Sequence, residues 1–273
     1  MKKAIGFNLG QRGDLIVTTV CAKAFKSVYP DYHLVLGVGP QYQDMLPLFY
    51  QHPYFDNFHV YEAYDKWPNQ EDIKYLNEVK YDMVFDGMPQ HRIHNWWEFY
   101  HLCQETCDMH GLPIPKDYEC ILTKWFNPNS DFKNYIAFAP FAAFYNKETN
   151  LKKISIEKAQ KLVDSITKLG YNILHVGGHD EPILNNTIKF KTSYFESVKN
   201  LLGCKAFLHT DTGLAWVASA YQFNCLGLYS YSYYGEKFAK QLYPVNKNAI
   251  YLQDYSAENI NNELIIDKLK TLL

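Results

Sequence analysis

A carboxylate placed just behind two glycines at a strand-to-helix turn is the first feature of this chain with chemical potential. The stretch "FNLGQRGDLIVTT", residues 7–19, runs from an apolar strand end through Gly10 and Gly13 to Asp14, where a helical pattern of Leu15, Val17, Val20, Cys21, Ala24 and Val28 begins. Glycine lets the backbone turn tightly and bring its amides close to a ligand. Asp14 admits two readings here: an N-cap, since Asp is among the preferred capping residues, or a base that takes a proton from a bound group. Arg12 would orient that carboxylate, bind an anion, or serve as a solvent-facing loop cation. The spacing is not G-x-G-x-x-G, so no dinucleotide fingerprint is present.

Three other loops hold comparable residues. In "FLHTDTGLAWVASA", residues 207–220, Thr210, Asp211, Thr212 and Gly213 stand between a strand and an alanine-rich helix. Hydroxyls, backbone amides and a helix N-terminus together suit phosphate oxygens, although a capped helix after a strand has the same signature. In "ILHVGGHDEP", residues 173–182, Gly177 and Gly178 permit close backbone approach, and His179, Asp180 and Glu181 offer groups for ribose or sugar hydroxyls, or a simple tight turn. In residues 139–162, Pro140 ends a strand, Lys147 lies in the loop, and Lys152 and Lys153 precede the helix at Ser155. Lysines there would neutralise a diphosphate or remain solvated.

A further cluster, residues 91–111, carries His101, Cys103, Cys107 and His110 on one probable helix. Cys103 and Cys107 share a face, but positions 101 and 103 point apart, so a complete tetrahedral metal set from this helix is geometrically awkward. No metal is expected. Trp96, Trp97 and Tyr100 suit a core or a sugar-stacking surface.

The elements that must position these loops alternate along the chain. Strand-like segments fall at 3–8, 33–38, 57–61, 82–86, 134–139, 171–176, 205–209, 223–229 and 249–252. Helical patterns fall at 14–28, 71–79, 93–110, 155–169, 193–202, 213–221 and 256–272. This alternation predicts βαβ units and parallel sheets. The polar, proline-containing segment 123–133 interrupts the rhythm and predicts a boundary, giving domains 1–128 and 129–273. Each holds enough strands for one Rossmann-like sheet, and two such domains would face each other across a cleft.

The chain has 273 residues, 47% hydrophobic and 21% charged, which excludes a largely disordered protein. A net charge of -2 gives no global basic field for nucleic acid. Six cysteines without a C-x-x-C pair, mostly inside apolar stretches, read as buried free thiols of a reducing cytoplasm. No signal peptide and no apolar run of bilayer length is visible.

Together the motifs resemble glycosyltransferase family 9, the lipopolysaccharide heptosyltransferases. The resemblance rests on Gly13-Asp14 with Tyr29-Pro30-Asp31; on Ala139-Pro140 through Lys152 and residues 155–162; on Gly177-Gly178 with Asp180-Glu181; and on Asp211-Thr212-Gly213 through Ala220 and Leu226-Gly227-Leu228. The matches follow the family's order and span about residues 1–40 and 134–230. The chain departs from the family's pattern at Trp216, where a His is frequent, and at Ile154-Ser155, where Trp-Pro stands.

The resemblance implies a GT-B fold and inverting transfer from a nucleotide-diphosphate sugar to a hydroxyl of a glycan or glycolipid acceptor, with acceptor on the N-terminal domain and donor on the C-terminal one. Asp14 would be the general base, with Gly13 and Arg12 on the acceptor side. Lys152, Gly177, Gly178, His179, Asp180, Thr210, Asp211, Thr212 and Gly213 would hold the donor. The nucleotide sugar is then a co-substrate, and neither cofactor nor metal is needed; no D-x-D motif is present. A cytoplasmic enzyme working at the inner face of a membrane fits such chemistry. The alternatives are a nucleotide-sugar epimerase, a modified-DNA glycosyltransferase, a non-catalytic nucleotide- or glycan-binding module of the same fold, and a nicotinamide dehydrogenase, the last weakened by the missing fingerprint.

Overall fold

The computed structural model describes residues 1–7, 11–60, 81–86, 101–141, 151–232 and 235–273. The predicted helix at 71–79 and residues 93–100 of the aromatic helix, with Trp96, Trp97 and Tyr100, lie outside them, as do Gly10 and Lys147. The chain divides into two compact units, Met1–Trp125 and Phe126–Leu273. Side-chain packing explains where they part: the Trp125 indole N–H donates to the Pro47 carbonyl of the first unit, whereas the Phe126 ring packs on Phe195 and Tyr221 of the second.

The first unit holds strands β1 (Lys3–Phe7), β2 (His33–Val38), β3 (Asn57–Val60) and β4 (Met83–Asp86) in the parallel order β3-β2-β1-β4. Its helices are α1 (Arg12–Val28) and α2 (Leu102–Met109). Strands covered on both faces must be apolar throughout, and β2 is buried from Leu34 to Val38. Leu15, Ile16, Val20 and Phe25 of α1 are buried with them, while Val28 at the end of its apolar stripe is exposed.

The second unit holds β5 (Tyr135–Ala139), α3 (Ile156–Lys168), β6 (Asn172–His175), β7 (Thr187–Ile188), α4 (Tyr194–Gly203), β8 (Ala206–Thr210), α5 (Gly213–Ala220), β9 (Cys225–Ser230), β10 (Ala249–Asp254) and α6 (Asn262–Lys270). Its parallel sheet runs β10-β9-β8-β5-β6-β7. In the unit's own strand order this is 3-2-1-4-5-6, the dinucleotide-fold order. Ile136, Phe138, Leu162, Val163, Ile173, Leu208, Leu226 and Ile265 form its core.

Three local features differ from the sequence reading. The 3-10 helix Pro40–Phe49 and the two-residue strand β7 have no sustained apolar period to announce them. The single helix expected over 256–272 is divided: Ser256 caps a 3-10 turn, Ile260 is extended, and Asn261 caps α6 by accepting from the Leu264 amide at 3.1 Å. Local side-chain caps override a continuous amphipathic pattern because each satisfies amides that a helix start leaves unpaired.

His52 makes the stability of the first unit depend on pH. Its Nδ1 accepts the Tyr54 and Phe55 amides at 3.2 and 3.3 Å, and its Nε2 faces the Ile121 carbonyl at 3.1 Å, an arrangement that requires neutral imidazole with the proton on Nε2. Burial, partly opposed by the Ile121 carbonyl, lowers its pKa from 6.5 to about 4. Between these values the unfolded chain binds a proton that the folded chain does not. The stabilisation is therefore complete above pH ~6.5 and lost as pH falls to ~4, up to roughly 3 kcal/mol. The melting temperature should drop across this window. His52→Asn, whose amide oxygen can replace Nδ1 as acceptor, should flatten the drop.

Candidate active site

In the first unit, α1 begins earlier than expected and Asp14 is not its N-cap. Gln11 caps the helix in an extended conformation, and Asp14 stands one turn in, its Oδ2 accepting the Gln11 backbone N–H at 2.7 Å. The carboxylate closes the helix start from inside, on the third residue, where the helix dipole favours a negative charge. Gly13 is buried within the first turn. Arg12 donates to Asp44 Oδ1 at 2.6 Å and to the Gln41 carbonyl at 3.4 Å, and its guanidinium lies 5.5 Å from the centre of the Tyr42 ring. Burial raises the Tyr42 phenol; Arg12 opposes that shift and Asp14 adds to it, so both charges lie within reach of the ring.

These groups stand at the carboxyl ends of β1 and β2. β1 separates β2 from β4, so the strand order reverses beside it, and open parallel sheets bind ligands at such a switch point. Gln41, Tyr42 and Asp44 had no signal in the sequence: they occupy the unanticipated 3-10 helix, and only the β1-β2 pairing carries them to Arg12.

In the second unit the order reverses between β5 and β8. The segments following these two strands supply Lys152 and Asp211, which form an ion pair with Nζ to Oδ2 at 2.6 Å. Lys152 is 46% and Asp211 30% exposed, so the pair is open to solvent. Thr210 donates to the Ala139 carbonyl at 3.4 Å, tying the ends of β8 and β5 together. Thr212 is the N-cap of α5 and makes no side-chain capping bond, and Gly213 opens the helix. Trp216 is buried on that helix.

Behind Asp211 lies an aromatic layer. His209 stacks on Phe207 at 4.6 Å, and Tyr229, Tyr243 and Tyr251 pack mutually with ring centres 4.4 to 5.6 Å apart. A side chain on Gly227 would collide with Tyr229, Tyr251 and His209, so glycine lets the rings close over the sheet. Burial lowers the His209 pKa to about 4, with the Thr210 carbonyl and Asp211 opposing. Burial first, and then the Asp211 charge, raises the Tyr229 and Tyr243 phenols.

The glycine pair after β6 lies against Glu181. A Cβ on Gly177 would lie 2.1 Å from Glu181 Oε2, so glycine admits the protein's own carboxylate. Glu181 in turn meets His175 Nε2 at 3.3 Å and Lys189 Nζ at 3.5 Å. Gly178, His179 and Asp180 are exposed. In the His/Cys helix, the His101 ring caps α2 by accepting from the Cys103 amide at 3.2 Å and stacks on Tyr118 at 4.6 Å. Among the described residues no helix is long and apolar enough to cross a membrane.

No protein-family model and no curated protein matches the sequence. Solved structures do match. A family 9 glycosyl transferase from Veillonella parvula aligns with a TM-score of 0.72 at 17% identity over 99% of this chain and 97% of its own. The ADP-heptose lipopolysaccharide heptosyltransferase II of E. coli aligns at 0.69 and 14% identity over 100% and 98%, and the E. coli heptosyltransferase WaaC with ADP at 0.69 and 14% over 99% and 100%. The chain thus shares the GT-B fold of these glycosyltransferases over essentially its whole length.

Proposed function

We propose that this protein is an inverting glycosyltransferase that moves a sugar from a nucleotide-diphosphate donor to an acceptor hydroxyl of a glycan or glycolipid. The observation that carries the reading is the Lys152–Asp211 pair, which joins two separately recognised motifs at the β5/β8 switch point, beside the N-terminus of α5. A diphosphate seated there meets the amides of Thr212 and Gly213, the positive end of the helix and the Lys152 ammonium. The solved structures that support it include the E. coli heptosyltransferase WaaC holding ADP and the same enzyme holding ADP-2-deoxy-2-fluoro heptose.

Inverting transfer needs a base on the acceptor hydroxyl and stabilisation of the departing diphosphate. Asp14 takes the proton in this reading. At a helix N-terminus its charged form is favoured, which keeps it ready to accept but limits its basicity; positioning of the hydroxyl supplies the remainder. Arg12, held by Asp44, lies beside it on the acceptor side. Lys152 and the α5 amides stabilise the leaving group without a divalent metal. Among the similar proteins, TibC is described as iron-containing, so the metal-free reaction needs its own check: activity should survive exhaustive chelation.

The decisive experiment is a thermal-shift screen against ADP, GDP, UDP and CMP and their sugars. The true donor raises the melting temperature by mass action, about 2.7 kcal/mol of stabilisation at a hundred times its Kd. A protein stabilised by none of them, and transferring no sugar from any, is not this enzyme.

A further inference from the structure

Four thiols converge inside the first unit, from segments far apart in sequence. Cys21 lies on α1, Cys103 and Cys107 on α2, and Cys120 on the segment beyond; all four are buried and free. Cys21 Sγ and Cys107 Sγ stand 3.7 Å apart, in van der Waals contact across the α1–α2 packing. Burial and the neighbouring Cys120 raise the Cys103 thiol, and Cys107 and burial raise that of Cys21.

The geometry separates two uses of such a cluster. A tetrahedral thiolate site with metal–sulfur bonds of about 2.3 Å needs every sulfur–sulfur edge near 3.8 Å. Cys21 and Cys107 meet at that range, but among the described residues no group of three or more His, Cys, Asp and Glu is arranged to hold a metal ion. What the cluster presents is a contacting pair on two adjacent helices, its sulfurs about 1.7 Å farther apart than in a disulfide.

We propose that Cys21 and Cys107 form a reversible redox pair whose disulfide fastens α1 to α2. The oxidant is a small disulfide, for which oxidised glutathione is the probe. One protein thiolate attacks a glutathione sulfur, breaking that S–S bond and releasing one glutathione thiol; the second attacks the mixed disulfide, forming the Cys21–Cys107 bond and releasing the other. Two electrons and two protons leave the protein, and two glutathione thiols are formed. Both sulfurs are buried, so exchange passes through local opening of the α1–α2 contact and is slow. The crosslink bears on function because α1 carries Arg12 and Asp14 in its first turn.

The test is to incubate the folded full-length protein with oxidised glutathione, block remaining thiols, and map peptides without reduction. The expected result is a Cys21–Cys107 linked peptide, with the protein lighter by two hydrogens, a melting temperature raised by several degrees, and both changes reversed by dithiothreitol. The chain oxidised in denaturant serves as the control and should give mixed pairings. Cys21→Ala and Cys107→Ser should each abolish the linked peptide and the rise. No crosslink in the folded protein, a Cys103–Cys120 crosslink in its place, or the same mixture as in denaturant overturns the proposal, and wild-type mapping decides this even if a variant fails to fold.

Discussion

Asp14→Asn is expected to lower the rate of sugar transfer by about 100- to 10,000-fold, the range that a positioned general base contributes, while nucleotide binding is unchanged. The substitution removes the proton acceptor and little else. Asn keeps an oxygen that can take the Gln11 N–H, so the start of α1 persists and only the charge at the helix terminus is lost. That loss costs about 0.3–1 kcal/mol. Nucleotide-induced thermal shift should match the wild type, because the residues proposed to hold the donor belong to the other unit, Phe126–Leu273. Transfer at the wild-type rate would remove Asp14 from the mechanism and leave it as a helix-start residue.

Lys152→Ala is expected to weaken nucleoside-diphosphate binding by about 10- to 100-fold, the worth of a hydrogen bond to a charged group. Asp211→Asn should act in the opposite sense. In the free protein Asp211 holds Lys152 at 2.6 Å, so an arriving diphosphate competes with a carboxylate for the same ammonium. Removing that charge frees the lysine. Because the pair is solvent-exposed, the gain is limited to about fivefold, roughly 1 kcal/mol. The two effects must couple: with Lys152 absent, Asp211→Asn has no competitor to release, and a double-mutant cycle on nucleotide Kd reads the difference. Independent effects would show that Asp211 does not act on the nucleotide through Lys152.

Much of this architecture was legible along the chain. Strands such as β2 and β5 announce themselves as short apolar runs because both their faces are covered, and Ser155 and Ser193, where two helical patterns begin, are the N-caps of α3 and α4. The four loops that could do chemistry were identifiable because glycine, hydroxyl and carboxylate residues at strand-to-helix turns follow from local backbone needs. The role of each residue was less accessible. Asp14 looked like an N-cap, yet the helix starts two residues earlier and Gln11 takes that place. Gly177 looked like room for a ligand, and the residue it lies against in the fold is Glu181, four positions on.

The sequence by itself determined two parallel-sheet halves and the placing of candidate chemistry at their strand ends, because periodicity and caps are set by interactions within a few residues. Only the tertiary structure decided the partners. Arg12 meets Asp44, Lys152 meets Asp211, Cys21 meets Cys107 and His175 meets Glu181 through strand order, helix packing and the turn of one loop. Charge and hydrogen-bond pairing act over a few ångströms in space, and except within such a turn no local pattern records which distant residue the sheet will bring within that range.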